Sequence, residues 1–81
     1  MFLRVVKAEH VAGHRLKLWF NDDSQGEIDL SEMLDGPIFA PLRDVNYFRG
    51  FRLEGHTVAW ENGADFAPEY LHGLVVSSNY A

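Results

Sequence analysis

Three residues near the end of the chain have types and spacing that suit chemistry. Asp65, Glu69 and His72 set two carboxylates and an imidazole within a short span. Such groups divide general-acid and general-base roles when a fold brings them together. Each also has a local structural use. Asp65 can close the Asn62-Gly63 turn by accepting backbone N–H groups, Glu69 favours the start of a helix, and His72 suits its C-terminal end. The structural reading outweighs the catalytic one, and no catalytic residue is assigned.

The other imidazoles are His10, His14 and His56. His10 and His14 flank a short turn and can face one another across a hairpin. A metal needs three or four ligands in fixed geometry, and Glu9 is the only obvious local oxygen donor. Surface turn histidines are the simpler reading, so no metal or cofactor is expected. The acidic loop Asn21-Asp22-Asp23-Ser24 lacks the spaced oxygen ligands and terminal Glu of an EF-hand. There is no Gly-rich phosphate loop, no G-x-S-x-G elbow and no H-E-x-x-H.

A third constellation is a strand face: Arg4, Lys7, Arg15 and Lys17 with Trp19 interleaved. Cations around an aromatic can bind single-stranded nucleic acid by phosphate contact and stacking. Four charges are few, and Trp19 can instead cover a helix at 31–35. A Trp flanked by cations also suits a protein contact, since Trp and Arg concentrate at interface hot spots. Trp19, Lys17, Arg15 and Arg4 are therefore the candidate interaction surface.

The elements that must position these residues read as a small α+β domain. An antiparallel sheet of about five strands carries one or two short helices. Residues 2–10 form a first strand, with apolar residues of both parities. After a turn at Val11–His14, the second strand runs Arg15–Asn21, with Leu16, Leu18 and Phe20 inward and Arg15, Lys17 and Trp19 outward. Glu27–Leu30 forms a third, Ile28 and Leu30 facing the core. Asp29 or Ser31 caps a short helix through Leu34 or Asp35, which Gly36-Pro37 ends. Residues 38–44 are irregular or one helical turn, anchored by Phe39 and Leu42.

Tyr47–Glu54 returns as a strand with Phe51 and Leu53 in the core and Phe48 facing away, and turns into Thr57–Trp60. The stretch W-E-N-G-A-D-F-A-P-E-Y-L at 60–71 organises the end of the chain. Trp60 is buried, Asn62-Gly63 suits a type I′ turn, Pro68 opens a helix, Tyr70 and Leu71 turn onto the sheet, and Gly73 stops it. The tail from about residue 76 is expected to fray, leaving one domain over 1–81.

This stretch also carries a resemblance. The pattern W-x-N-G-x-D-x-A-P-x-x-L, with L-K-L-W-F-N-D-D-S at 16–24, I-D-L at 28–30 and F-A-P-L-R-D at 39–44, resembles the bacterial domain of unknown function numbered 2442. It covers the chain from about Val5 to Leu71 and has no established activity attached. Such families usually show an aspartate-glycine turn after the second strand. Here Asp22-Asp23-Ser24-Gln25-Gly26 stands in its place, and a looser loop is expected. The resemblance implies a neighbouring small protein as partner. Some relatives are fused to a helix-turn-helix domain, which this chain does not include, so direct DNA binding does not carry over.

Composition bounds the function. The chain has 81 residues, a formal charge of −5 and no cysteine, which excludes disulfides, thiolate zinc sites and a cysteine nucleophile. The acidic balance argues against nucleic acid as direct partner. No stretch is long and apolar enough for a membrane span or signal peptide, and a reducing cytoplasm fits. The favoured reading is a non-catalytic protein-interaction module, the regulatory or antitoxin-like half of a small bacterial protein pair. The alternatives are a hydrolase-like enzyme using Asp65, Glu69 and His72, a nucleic-acid-binding module, and a homodimer joined by outward aromatics or strand edges.

Overall fold

The most secure sequence pattern, the alternation at 15–20, forms the centre of the sheet. In the computed structural model, which describes residues 2–79, β2 (Arg15–Phe20) lies between β1 (Val5–Ala12) and β3 (Gln25–Asp29). Both pairings are antiparallel. Leu16, Leu18 and Phe20 are buried, and Ile28 and Leu30 join them from β3 and its end. The alternation holds because successive side chains of a strand point to opposite faces, and only one face meets the core.

In β1 the register with β2 slips between Val5 and Lys7 and again between His10 and Ala12. A bulge adds one residue to one strand and so reverses the facing of everything beyond it. Val5 and Ala8 therefore both reach the inner face despite opposite parity, and Val6 is left exposed. That is the physical source of the mixed parity in the sequence. The strand begins at Val5 rather than Phe2.

A second sheet pairs β4 (Arg52–Glu54) with β5 (Thr57–Ala59). The five strands thus divide into two small sheets. His56 O accepts from the Val5 N–H at 2.9 Å, joining the second hairpin to the start of β1. Gly55 and His56 both have positive φ, 59° and 77°, in the two-residue loop between Glu54 and Thr57. The tight turn with two left-handed residues is here, and not at Asn62-Gly63.

Ser31–Met33 and Ala40–Arg43 are 3-10 turns, and Val45–Phe48 is a single helical turn, α1. The strand expected over Tyr47–Glu54 is therefore wrong in its first half. Asp44 accepts the Asn46 N–H at 2.9 Å and holds the backbone in a turn. Phe48 is fully buried instead of facing out, and Leu53 is 44% exposed instead of in the core. Asp29 accepts from the Ser31 N–H, but no side chain caps the 3-10 turn itself.

The chain ends in α2 (Pro68–Asn79), opened by Pro68 and packed against β3. Leu71 and Val75, one turn apart, are fully buried. The helix does not stop at Gly73. Val75 anchors another turn, and burial of that side chain outweighs the cost of an interior glycine, ~1 kcal/mol. Ser77 remains helical, while the end of the expected frayed tail, residues 80–81, lies outside the described residues.

Candidate functional site

Asp65, Glu69 and His72 occupy three different surroundings. Asp65 is exposed, forms an isolated bridge with Ala59 and lines a shallow hollow with Arg52, Glu54 and Glu61. Glu69 lines another hollow, of about 350 Å³, with Leu3, His56 and Pro68. His72 turns to the loop after β2, where its Nε2–H donates to Asp22 Oδ2 at 2.9 Å. Its ring also meets the Phe20 ring edge-on, with centroids 5.1 Å apart.

Asp22 is the partner that sequence spacing did not reveal, because it lies fifty positions away. Its other oxygen accepts from the Ser24 hydroxyl at 2.5 Å and from the Ser24 N–H at 3.0 Å. These two bonds, and then His72, hold the Asp22 carboxyl below its ordinary range. The order is hydroxyl, carboxylate, imidazole. A nucleophilic serine needs the imidazole in the middle, where it can take the hydroxyl proton. The group therefore ties α2 to the β2–β3 loop and does not activate Ser24.

His10, His14, Thr57, Trp60 and Asn62 are likewise tied to the fold. His10 Nε2 donates to Gly13 O at 2.8 Å and His14 Nε2 to Leu42 O at 2.9 Å, and both rings lie against Phe48. Trp60 Nε1–H donates to Phe48 O at 2.7 Å. Phe48 is thus the hub of an aromatic cluster. The Thr57 hydroxyl donates to Phe66 O, bracing the stretch that leads to Pro68. Asn62, not Asp65, closes the Trp60–Ala64 loop: its Oδ1 accepts from the Ala64 N–H at 3.0 Å. Its Nδ2–H donates to Ile38 O at 2.9 Å, and its N–H to the Tyr47 hydroxyl. Among the described residues no three His, Asp or Glu are grouped to hold a metal.

The outer face of the first sheet carries most of the candidate interaction residues. Trp19 sits opposite Lys7 on β1 and Gln25 on β3, and is half-buried. The Lys7 and Lys17 ammonium groups lie 4.7 and 5.1 Å from its ring centroid. A cation over an indole at an exposed site is worth roughly 0.5–1 kcal/mol. Arg15, at the far end of β2, pairs with Glu27 at 3.5 Å and stands across from Asp29. The Ser31 N–H and hydroxyl hold the Asp29 carboxyl low. Arg4 lies ahead of β1, where its N–H donates to Asn21 Oδ1.

The structure therefore brings Lys7, Lys17 and Trp19 together, pairs Arg15 with Glu27 further along the same face, and leaves Arg4 ahead of β1. The face is not a basic stripe, because Glu9, Glu27 and Asp29 alternate with its cations. That alternation follows from strand register, which was not visible before the pairing was known.

The fold and its surface define a small α+β domain of two antiparallel sheets with one main helix. The chain belongs to the family described as "Protein of unknown function (DUF2442)", which it matches over residues 5–76. No curated protein and no solved structure matches it. No described helix is long and apolar enough to cross a membrane.

Proposed function

We propose that the domain is a non-catalytic protein-interaction module whose contact is centred on Trp19 between Lys7 and Lys17. The observation that carries this reading is the clasped indole on the outer sheet face. Trp contributes a large, rigid contact area at low entropic cost, and a partner that covers it desolvates the two ammonium groups as well. The partner complementary to this corner offers an apolar side chain beside a carboxylate, which can pair Lys17. Lys7 already has Glu9 at 3.4 Å.

The place of such a module in the cell is the regulatory or antitoxin-like member of a pair of small bacterial proteins, a reading that rests on the family resemblance. A photo-crosslinking residue at position 25, opposite the intact Trp19 and introduced in the native cell, tests the contact. The expected result is one adduct of defined mass that is absent with the same probe at Glu61 and lost when Lys17→Glu is added. Equal labelling at both positions, or an adduct indifferent to Lys17→Glu, removes the surface. An adduct at twice the chain mass identifies a second copy as the partner.

A further inference from the structure

We propose that Asn62 is a deamidation site gated by the opening of the Trp60–Ala64 loop. The chemistry requires only water. The backbone nitrogen of the following residue attacks the side-chain Cγ, the new N–Cγ bond forms, and the Cγ–Nδ2 bond breaks. The attacking nitrogen's proton is lost and ammonia departs. Water then opens the resulting succinimide to aspartate or isoaspartate. No oxidant or reductant takes part.

A following glycine obstructs the attack least, because it has no Cβ. Asn62-Gly63 is the one such pair in the chain, since Asn21 precedes Asp and Asn46 and Asn79 precede Tyr. In the folded domain every participant is engaged. The Gly63 N–H donates to Trp60 O at 3.0 Å. The departing Nδ2 donates to Ile38 O, and Oδ1 is held by the Ala64 N–H. The loop ends are anchored by Trp60 and Ala64, both buried. Attack needs the Gly63 nitrogen released and the Asn62 amide swung out of both bonds, which amounts to local opening of this loop.

Reaction also removes one of the bonds that tether the loop. A carboxylate accepts from the Ala64 N–H as the amide did, but it cannot donate to Ile38 O. An oxygen in place of Nδ2 would face a carbonyl oxygen across 2.9 Å. The modified loop therefore loses its hold on Ile38, and each productive opening leaves a permanent, less tightly tethered form.

Peptide mapping by mass spectrometry tests both halves, on the full chain held at mildly alkaline pH with and without urea. In urea, Asn62 should convert faster than Asn21 or Asn46. In the native state its conversion should be slower on the order of tenfold or more, the ratio set by the loop-opening equilibrium. Tyr47→Phe, which removes the acceptor of the Asn62 N–H, should speed native conversion without changing the rate in urea. Equal native and urea rates, or a Tyr47→Phe rate equal to wild type, would overturn the gate. Asn62→Asp should lower the urea midpoint, and an unchanged midpoint overturns the loosening.

Discussion

Two loops of this domain close in the same way with different residues. From Phe20 to Ser24 and from Trp60 to Ala64, the first residue's N–H donates to the last one's carbonyl. Its own carbonyl accepts from the fourth residue's N–H. The fourth residue is left-handed in both: Asp23 with φ 70° and Gly63 with φ 91°. Three-residue hairpin loops of this kind ask for glycine at that position. The first loop manages without it: in place of a two-residue turn, the stretch Asp22-Asp23-Ser24-Gln25-Gly26 opens with the longer connection expected of it, three residues between Phe20 and Ser24. The lesson is that loop geometry follows from the strands it joins, and a short polar side chain can occupy a left-handed position at modest cost.

The loops also fasten different parts. Asp22 holds α2 through His72, and Asn21 Nδ2 donates to Phe2 O. Asn62 holds the 38 region and Tyr47. Both make Asx-type bonds to the residue two positions on, Asp22 to the Ser24 N–H and Asn62 to the Ala64 N–H. The second loop is the more deeply anchored, because its last residue, Ala64, is buried where Ser24 is only partly so, and because the Trp60 indole N–H is bonded. Substitutions there should cost more.

The largest expected effect is at Asn62. Asn62→Ala strips both side-chain bonds, leaving the Ala64 N–H without its partner in buried surroundings and Ile38 O to water, which should cost about 1–3 kcal/mol in urea unfolding, most of it from Ala64. Next come the left-handed positions. Gly63→Ala forces a Cβ into that region and should lose roughly 1–2 kcal/mol, whereas Asp23→Gly relieves the same strain and should gain up to about 1 kcal/mol. If both substitutions destabilise equally, the two loops do not share their geometry.

The smallest effect is pH-dependent. Asp22 has a lowered pKa in the folded state, so its contribution is present above the unfolded value and is lost as pH falls through the folded one. Ser24→Ala removes the largest cause of that shift. Its penalty should therefore appear at neutral pH and vanish as pH falls through the folded-state pKa of Asp22, read as a converging difference in urea midpoints. A penalty that persists in acid would mean that Ser24 acts through packing alone.

Much of the fold is legible in the sequence. Leu16, Leu18 and Phe20 alternate because β2 is central with one face buried, and Pro68 opens α2 where its missing N–H would go unpaired anyway. Phe48 and Leu53 were not legible. A short apolar stretch fits a strand or a helical turn equally well, and Asp44 decides only once its carboxylate meets the Asn46 N–H. The candidate surface was half legible. Outward Trp19 and Lys17 follow from alternation, but Lys7 as its neighbour and Glu27 as the partner of Arg15 depend on register.

By itself, the sequence determined an α+β domain, the alternating strand at 15–20 and the helix opened by Pro68, because these rest on periodicity and on local turn chemistry, while its motifs carried the family resemblance. Tertiary structure alone decided that His72 meets Asp22 and not Asp65 or Glu69. It also placed Phe48 at the centre of the aromatic cluster and put two ammonium groups around Trp19. Such pairings join residues far apart along the chain. No local rule selects them, and the packing of the whole domain does.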